Sequence, residues 1–305
     1  MPATLIRGRD VRGILLLDKG RGLTSNRALQ QVKRLYGAAK AGHTGSLDPL
    51  ATGMLPICFG AATRLGGFLL EAEKAYRVTA RFGVATDTAD ADGAVTERHD
   101  GPILGAAALE AALARFRGEI EQVPPMYSAL KQGGRRLYEL ARSGVVVARQ
   151  PRRVTILELA LERLEWPDAQ LYVRCSKGTY VRALVVDLAA ALGTLAHVAA
   201  LRRVAVEPFG GEAMATVEEL EALAQSHGTT ALDARLLPAD RALVDWPGVV
   251  VSAASAARIG HGQEIPAEDG WPLGRVKIYR EPREFVAIGE VTPERRLAPR
   301  RVFSP

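Results

Sequence analysis

The sequence predicts an α+β protein that carries a small β-rich domain at its carboxyl end. Residues 76–82 alternate apolar and polar side chains with a period of two, which is typical of a half-buried strand. Residues 184–195 instead carry leucines at helical spacing. After Pro247, short apolar runs are separated by glycine and proline, and this pattern indicates a small β-barrel.

The first predicted elements are a buried strand and a helix. Residues 14–17 form an uninterrupted apolar run. Thr24 is followed by Ser25 and Asn26, which are all good N-cap residues, and Gly37 is a helix stop after the apolar stripe. The other face of this helix either contacts phosphates or is simply solvated. Its basic residues are Arg27, Lys33, Arg34 and Lys40.

The later elements follow from the same patterns. The acidic segment 87–93 lacks the ligand spacing of an EF-hand loop, so it predicts a structural turn between strands. Strands are expected at 171–177, 249–251, 276–279 and 285–291, and further helices at 106–116 and 216–224.

Length and charge limit the organisation and the partners. The chain has 305 residues and 48% hydrophobic residues, enough for one large and one small domain. We place the boundary near the prolines of 236–247, giving domains 1–246 and 247–305. The net charge is +6, and residues 1–40 hold nine Lys/Arg against two Asp, which favours nucleic acid or an anionic membrane. A solvated basic surface is the alternative.

The remaining composition points to the cytoplasm. Cys58 and Cys175 lack a C-x-x-C partner and read as buried thiols in a reducing compartment. The apolar run 13–17 is too short for a signal sequence, and the apolar stretch 183–201 contains Asp187 and a histidine, so no membrane span is expected. The five histidines lack metal-ligand spacing, so no metal is expected.

The stretch Ala41 to Ile57 is the strongest candidate for a functional site. Its glycines and the Asp48-Pro49 pair predict a tight loop that presents Asp48 at its tip. Asp48 then either caps a turn or helix, with His43 packed nearby, or acts as a nucleophilic or acid/base carboxylate. A phosphate-cradling loop is disfavoured because neither common glycine motif of such loops occurs here.

Several segments resemble the TruB-type tRNA pseudouridine synthases. The loop itself reads G-H-T-G-S-L-D-P-L-A-T-G-M-L-P-I, and similar segments precede and follow it: G-I-L-L-L-D-K-G-R-G-L-T-S-N, K-A-Y-R-V-T-A-R-F-G-V-A-T-D-T-A-D-A-D-G, C-S-K-G-T-Y-V-R and L-R-R-V-A-V. In this order they cover most of residues 13–206. The endings F-V-A-I-G-E-V and L-A-P-R-R-V-F resemble a PUA-type RNA-binding domain.

The resemblance implies a fold, an activity and partners. The expected fold is a mixed, largely antiparallel central sheet flanked by helices, followed by a PUA-like β-barrel. The expected activity is the conversion of uridine 55 in the tRNA T loop to pseudouridine, an isomerisation that needs no cofactor. The chain resembles the stand-alone bacterial type, so we expect a cytoplasmic monomer that binds the T stem-loop without a guide RNA.

The resemblance also assigns roles to site residues. Asp48 is the expected nucleophile, attacking the sugar or the base of a uridine extruded from the RNA. Arg182 lies near a predicted helix start, where a cation needs an anionic partner, and the family gives Asp48 as that partner. Such a pair lowers the carboxylate pKa. Tyr76 is expected to be catalytic as well: it packs on the extruded base and is a candidate for the group that removes the C5 proton. The other expected contacts are Tyr180 and Leu201 around the uridine, and His43 in the space that the base leaves.

A basic segment is the expected RNA grip. Residues 131–153 hold seven Lys/Arg and one Glu, with two tyrosines at or near this segment. The resemblance makes 124–153 a thumb-like insertion in which Lys131, Arg135 and Arg136 contact RNA, whereas a solvated surface hairpin is the alternative. Two other functions stay open on the residues alone, a basic RNA-binding protein or folding chaperone and a nucleotide-binding enzyme.

Overall fold

Two mixed sheets organise the chain in a computed structural model that describes residues 8–99, 103–128, 130–145 and 147–303. Residues 129 and 146 of the predicted insertion, and 1–7 of the predicted first domain, lie outside the described residues. The strands in chain order are β1 (Gly13–Lys19), β2 (Ala41–His43), β3 (Thr52–Phe59), β4 (Lys74–Phe82), β5 (Val84–Thr86), β6 (Val95–Arg98), β7 (Gly118–Gln122), β8 (Lys131–Gln132), β9 (Arg135–Arg136), β10 (Arg152–Glu165), β11 (Asp168–Cys175), β12 (Ala196–Val206), β13 (Gly248–Val251), β14 (Ile265–Pro266), β15 (Gly274–Arg280), β16 (Glu284–Val291) and β17 (Arg296–Val302).

Seven α-helices accompany these strands in the described part of the chain. They are α1 (Ser25–Leu35), α2 (Gly66–Glu71), α3 (Ala106–Ala114), α4 (Leu137–Arg142), α5 (Val181–Ala191), α6 (Val217–His227) and α7 (Ala253–Gly260). Short 3-10 helices cover Gly60–Leu65, Thr229–Arg235 and Ala239–Leu243.

The central sheet has the order β1-β3-β12-β4-β11-β10-β7, with β2 paired to β3. Every neighbouring pair is antiparallel except β3 and β12, which run parallel over two residues. The C-terminal sheet has the order β13-β15-β16-β17-β14, and only β13 and β15 are parallel. The predicted α+β class, with a mixed, largely antiparallel central sheet and a small C-terminal β-domain, is confirmed.

Local signals explain helix α1 and strand β4. Thr24 caps α1 by accepting a hydrogen bond from the Arg27 amide, as predicted. In β4 the residues facing the core are buried from Val78 to Phe82, whereas Arg77 and Arg81 are exposed. The period of two therefore places one face of β4 against the helices and leaves the other face open.

Two predictions about the segment after Gly178 need correction. The helix ends at Ala191 and does not reach Leu195, because Gly193 adopts a φ of +70° that stops it. The residues that follow form the strand β12, which the sequence patterns did not predict. This strand lies between β3 and β4 at the middle of the sheet and is mostly buried, so it lacks a clean alternation.

An apolar interface joins the two sheets. Met54 and Phe209 of the central-sheet region share one buried cluster with Ile288 and Phe303 of the C-terminal region. Trp246 lies at this interface, where its ring packs edge-to-face on Phe68 at 5.3 Å between centroids. The C-terminal sheet therefore packs near the face of β1 and β3 that carries Ile14, Leu16, Met54 and Cys58.

Gly53 sets the closest approach in the central sheet, and replacing it is expected to be strongly destabilising. Its φ is +95°, and a Cβ there would lie 2.2 Å from the Arg203 carbonyl oxygen. We expect Gly53→Ala to cost at least about 3 kcal/mol of the free energy of unfolding, from backbone strain and the clash. The urea midpoint measures it.

Gly67→Ala is the matched control for this measurement. Gly67 lies in α2, and no heavy atom lies within 4 Å of its added Cβ. Its replacement is expected to be neutral or to stabilise by about 0.5 kcal/mol, since alanine favours the helix. Equal midpoints for the two variants would contradict the assigned tight crossing of β3 and β12.

Candidate active site

Asp48 lies on the loop between β2 and β3, between two buried leucines. Leu47 and Leu50 are 6% and 3% exposed, whereas the Asp48 side chain is 41% exposed. A turn follows it, because the Ala51 amide donates to the Asp48 carbonyl at 3.0 Å. The two leucines anchor the loop in the core and leave the Asp48 carboxylate partly open to solvent.

Two buried polar side chains hold this loop. Ser25, the first residue of α1, exchanges hydrogen bonds with the backbone of Leu47 through its hydroxyl, at 2.7 and 3.1 Å. Lys19 is fully buried, and its ammonium donates to the carbonyls of Gly20, Leu23 and Pro49. Burial lowers the Lys19 pKa to about 8, which the Asp48 carboxylate partly opposes.

Sequence reasoning missed Lys19 although a signal for it exists. Lys19 continues the period of two that places Leu15 and Leu17 on the core face of β1. A lysine at that position must find oxygen partners inside the protein, because an unpaired buried ammonium is costly.

Arg182, in the first turn of α5, pairs with Asp48. The Arg182 Nε atom lies 2.9 Å from Asp48 Oδ2, and the arginine side chain is 4% exposed. That N–H does not point at the carboxylate with hydrogen-bond geometry, so the contact is an ion pair. The two terminal nitrogens of the guanidinium donate to the carbonyls of Thr88 and Tyr127 at 2.8 and 2.7 Å.

The acidic turn at 87–93 supports Arg182. The turn connects β5 and β6, as the sequence predicted. Asp90 is 5% exposed, and its Oδ2 atom lies 3.7 Å from the Nε atom of Arg182. Its other oxygen accepts from the Thr88 hydroxyl at 2.6 Å and the Asp92 amide at 3.1 Å. The guanidinium therefore lies between two carboxylates, one buried and one open to solvent.

The pKa of Asp48 is raised, which corrects the expectation from the arginine pair alone. Desolvation is the largest cause and raises it. Arg182 and Lys19 lower the pKa, as an adjacent cation must, whereas the Asp90 carboxylate raises it further. The surrounding protein thus outweighs the attraction of Arg182.

Tyr76 and His43 face the same region from β4 and β2. Tyr76 is half-buried and its pKa is raised, mainly by desolvation, while the charge of Arg203 opposes this. His43 Nδ1 is buried without a hydrogen-bond partner, and burial and Arg203 lower the His43 pKa. The imidazole is therefore neutral at physiological pH.

Tyr180 and Leu201 complete the predicted set. Tyr180 precedes α5, and its backbone exchanges hydrogen bonds with the buried Gln122 side chain at 3.1 and 3.4 Å. Gln122, which the sequence reading also missed, thereby fixes the start of the helix that carries Arg182. Leu201 is 8% exposed and pairs with Val78 of β4.

A groove of about 350 Å³ opens beside Leu201. Leu50 and Thr52 border it, and Asp48 is not among its lining residues. The groove also carries three basic side chains, which are Arg21, Arg77 and Arg202. All three are ion-paired: Arg21 with Asp92, Arg77 with Glu162 and Arg202 with Asp18. This groove is a neighbour of the carboxylate site and not the site itself.

The basic insertion forms a small hairpin, β8 and β9, followed by α4. Arg135 and Arg136 are exposed on the second strand, and Lys131 starts the first. These three predicted RNA contacts thus lie on a two-stranded sheet that pairs with neither of the two larger sheets. The link to the site is Tyr127, whose carbonyl accepts from Arg182.

Other features of the described residues concern metals, membranes and cysteines. No group of three His, Cys, Asp or Glu side chains that could hold a metal ion occurs among them. None of the helices in the described ranges is long and apolar enough to cross a membrane. Cys58 and Cys175 are buried free thiols.

Comparison with solved structures defines the fold. A Cbf5-Nop10-Gar1 complex matches with a TM-score of 0.73 and 25% identity, covering 96% of this chain and 85% of that chain. An archaeal H/ACA Nop10-Cbf5 complex matches with a TM-score of 0.72 and 23% identity, over 97% and 87% of the two chains. The fold is that of the pseudouridine synthases.

Sequence comparison defines the family. Residues 33–181 match the N-terminal domain of the TruB family pseudouridylate synthases, 182–244 a tRNA pseudouridylate synthase B C-terminal domain, and 247–303 the C-terminal region of pseudouridine synthase II TruB. The tRNA pseudouridine synthase B of Ectopseudomonas mendocina is 52% identical over 97% of this chain and 96% of that protein. That of Pseudomonas aeruginosa is 51% identical over 97% of both.

The chain belongs to the TruB family of pseudouridylate synthases. The predicted family and the predicted class of enzyme, an isomerase that forms pseudouridine in tRNA, are confirmed.

Proposed function

We propose that this protein converts uridine 55 in the T loop of tRNA to pseudouridine, with Asp48 as the nucleophile. The observation that supports this most is the Asp48 carboxylate, which is open to solvent on one side and paired at 2.9 Å with the buried Arg182 on the other. The reaction breaks the bond from the ribose to N1 of uracil and forms a bond to C5, and C5 loses its proton. No redox change occurs and no cofactor is needed.

The charges around Asp48 suit a carboxylate that attacks and then leaves. The carboxylate is partly desolvated, which raises its pKa and makes it a stronger nucleophile than one in water. Arg182 keeps it oriented, because Thr88 and Tyr127 fix the guanidinium from the opposite side. A covalent intermediate on Asp48 holds one fragment while the uracil turns.

The target base must leave the RNA stack to reach this carboxylate, at a cost of a few kcal/mol. In the proposal His43, neutral and with a free nitrogen, fills the space that the base leaves. Tyr76 packs on the extruded base, and Tyr180 and Leu201 border the uridine. Desolvation is the main reason that the pKa of each tyrosine is raised, and the Asp48 charge adds to it.

The insertion is proposed to grip the T stem-loop through its exposed basic hairpin. Replacing Arg135 and Arg136 together with glutamine should weaken tRNA binding and lower the slope of log Kd against log salt by up to about 2. Turnover at saturating tRNA should stay unchanged, because both lie outside the carboxylate site. Filter binding across a salt series measures the slope.

Arg81→Gln is the control for the insertion variant. Arg81 is also partly exposed, but it lies on β4 and is held by two bonds of 2.8 and 2.7 Å to Asp168. Its replacement should leave the salt slope unchanged. If the insertion variant keeps the wild-type slope, the hairpin is a solvated surface and not the RNA grip.

The proposed organisation is a stand-alone monomer without a guide RNA. Residues 1–246 form the catalytic domain and 247–305 a PUA-like RNA-binding domain, which is supported by a five-stranded sheet that begins at Gly248. We also propose a cytoplasmic location, since both cysteines are free thiols and tRNA is the proposed substrate.

Tritium release tests the proposed function. In a T stem-loop RNA with tritium at C5 of its uridines, the enzyme should release one equivalent of tritium per RNA, from the uridine at position 55. The same RNA with cytidine at that position should release none. An RNA-binding protein or chaperone would bind the RNA and release no label, so binding without release would refute the proposal.

A further inference from the structure

Arg203 is a buried cation at the centre of the sheet that has no assigned role. Arg203 is 1% exposed and has the largest fully buried side chain among the described residues. In the described part of the chain it forms no ion pair with a carboxylate, so only neutral oxygens can stabilise its charge. A fully buried arginine is costly to maintain, and its partners therefore indicate its purpose.

The position of Arg203 connects the strands that carry the site. On β12 it lies opposite Tyr76 of β4 and, on the other side, opposite Gly53 at the start of β3. Directly opposed residues of an antiparallel pair point to the same face of a sheet, so Arg203 and Tyr76 share a face.

The guanidinium donates to two carbonyls. Its Nε donates to the Met54 carbonyl of β3 at 2.7 Å. A terminal nitrogen donates to the carbonyl of Gly45, on the loop that carries Asp48, at 3.2 Å. Arg203 is also the direct cross-strand neighbour of Tyr76, and its charge opposes the desolvation that raises the Tyr76 pKa.

We propose that Arg203 is a positioning residue for the isomerisation: it bonds the Asp48 loop at the Gly45 carbonyl and lies beside its cross-strand neighbour Tyr76, and so fixes the Tyr76 phenol relative to Asp48. This rests on the proposed function, in which Tyr76 contacts the extruded uridine. The guanidinium suits the task because its donors lie in one rigid plane. A lysine there keeps the charge but lacks the planar fork that donates to both carbonyls.

The test is a double-mutant cycle of Arg203→Lys with Tyr76→Phe, read by single-turnover tritium release at saturating tRNA. Arg203→Lys alone should slow release at least about 10-fold and leave the tRNA Kd within about twofold. In the Tyr76→Phe background the same change should slow release less than about twofold, because the hydroxyl that it positions is gone.

Arg202→Lys is the matched control. Arg202 is the preceding residue, lies on the opposite face, and bonds Asp18 at 2.9 and 2.6 Å. Its replacement should change the release rate less than about twofold in either background.

Thermal unfolding separates positioning from folding. If Arg203→Lys does not fold, Arg203→Gln, which keeps one donor, replaces it in the same cycle. The proposal would be overturned if neither variant folds, if the release rate is unchanged, or if only the tRNA affinity falls. It would also be overturned if the Arg203 change slows release by the same factor with and without the Tyr76 hydroxyl. All rates are relative to wild type: a wild-type enzyme without tritium release would refute the proposed function and this role with it, whereas the outcomes above would refute the role of Arg203 alone.

Discussion

Asp48→Asn is expected to lower turnover by about 10⁴-fold or more while tRNA affinity is kept. The amide has nearly the same shape as the carboxylate but is a far poorer nucleophile, and the loop is held by Leu47, Leu50 and backbone contacts that the change does not touch. Tritium release and filter binding measure the two effects separately. Asp10→Asn, at an exposed aspartate paired with Arg12, is the control and should turn over normally.

Thermal unfolding gives this variant a second readout. The pKa of Asp48 is raised in the folded protein, so the ionised carboxylate destabilises the fold at any pH above its unfolded pKa. Asp48→Asn should therefore unfold at a higher temperature than wild type at pH 7, and the difference should disappear below about pH 4. Turnover near the wild-type rate would remove Asp48 from its proposed role.

Replacing Arg182 with glutamine is expected to lower turnover by about 10²-fold or more and to change its pH dependence. The reaction needs ionised Asp48, so the rate falls as the pH drops through the Asp48 pKa. Arg182 lowers that pKa, and its removal raises it. In the pH profile of the single-turnover rate, the fall on the acidic side (the acid limb) should therefore occur at higher pH than in the wild type.

Stability should fall as well in the Arg182→Gln variant. Asp90 is buried and loses its guanidinium partner, and leaving one partner of a buried ion pair alone costs about 3 kcal/mol or more. Arg182→Lys keeps the charge and loses the fork to Thr88 and Tyr127, so it should slow the reaction with a smaller shift of the acid limb. An acid limb that stays in place in Arg182→Gln would contradict the assigned pair.

Some features of the site were readable because they are local in sequence. Asp48 follows from glycines and proline within one short stretch, since turn chemistry depends on neighbouring residues. The N-cap at Thr24 and the alternation of β4 are likewise local, and the structure confirms both. Family resemblance then added Arg182, far away in the chain, as the partner of Asp48.

The residues that support the site were not readable in this way. Lys19 and Arg203 are buried charges whose partners are backbone carbonyls, and the buried Asp90 pairs with a side chain of the distant helix α5. No residue type marks a carbonyl oxygen as a partner, because every residue has one. The direction of the Asp48 pKa also required the structure, since desolvation depends on everything that packs around the loop.

The sequence by itself determined the α+β class, the loop that carries Asp48 and the family, because these depend on local patterns and motifs. Only the tertiary structure decided that β12 lies at the centre of the sheet between β3 and β4. That placement brings Arg203 opposite Tyr76 and against the loop of Asp48. Strand order is a long-range property set by packing of the whole chain, and no single stretch of residues specifies it.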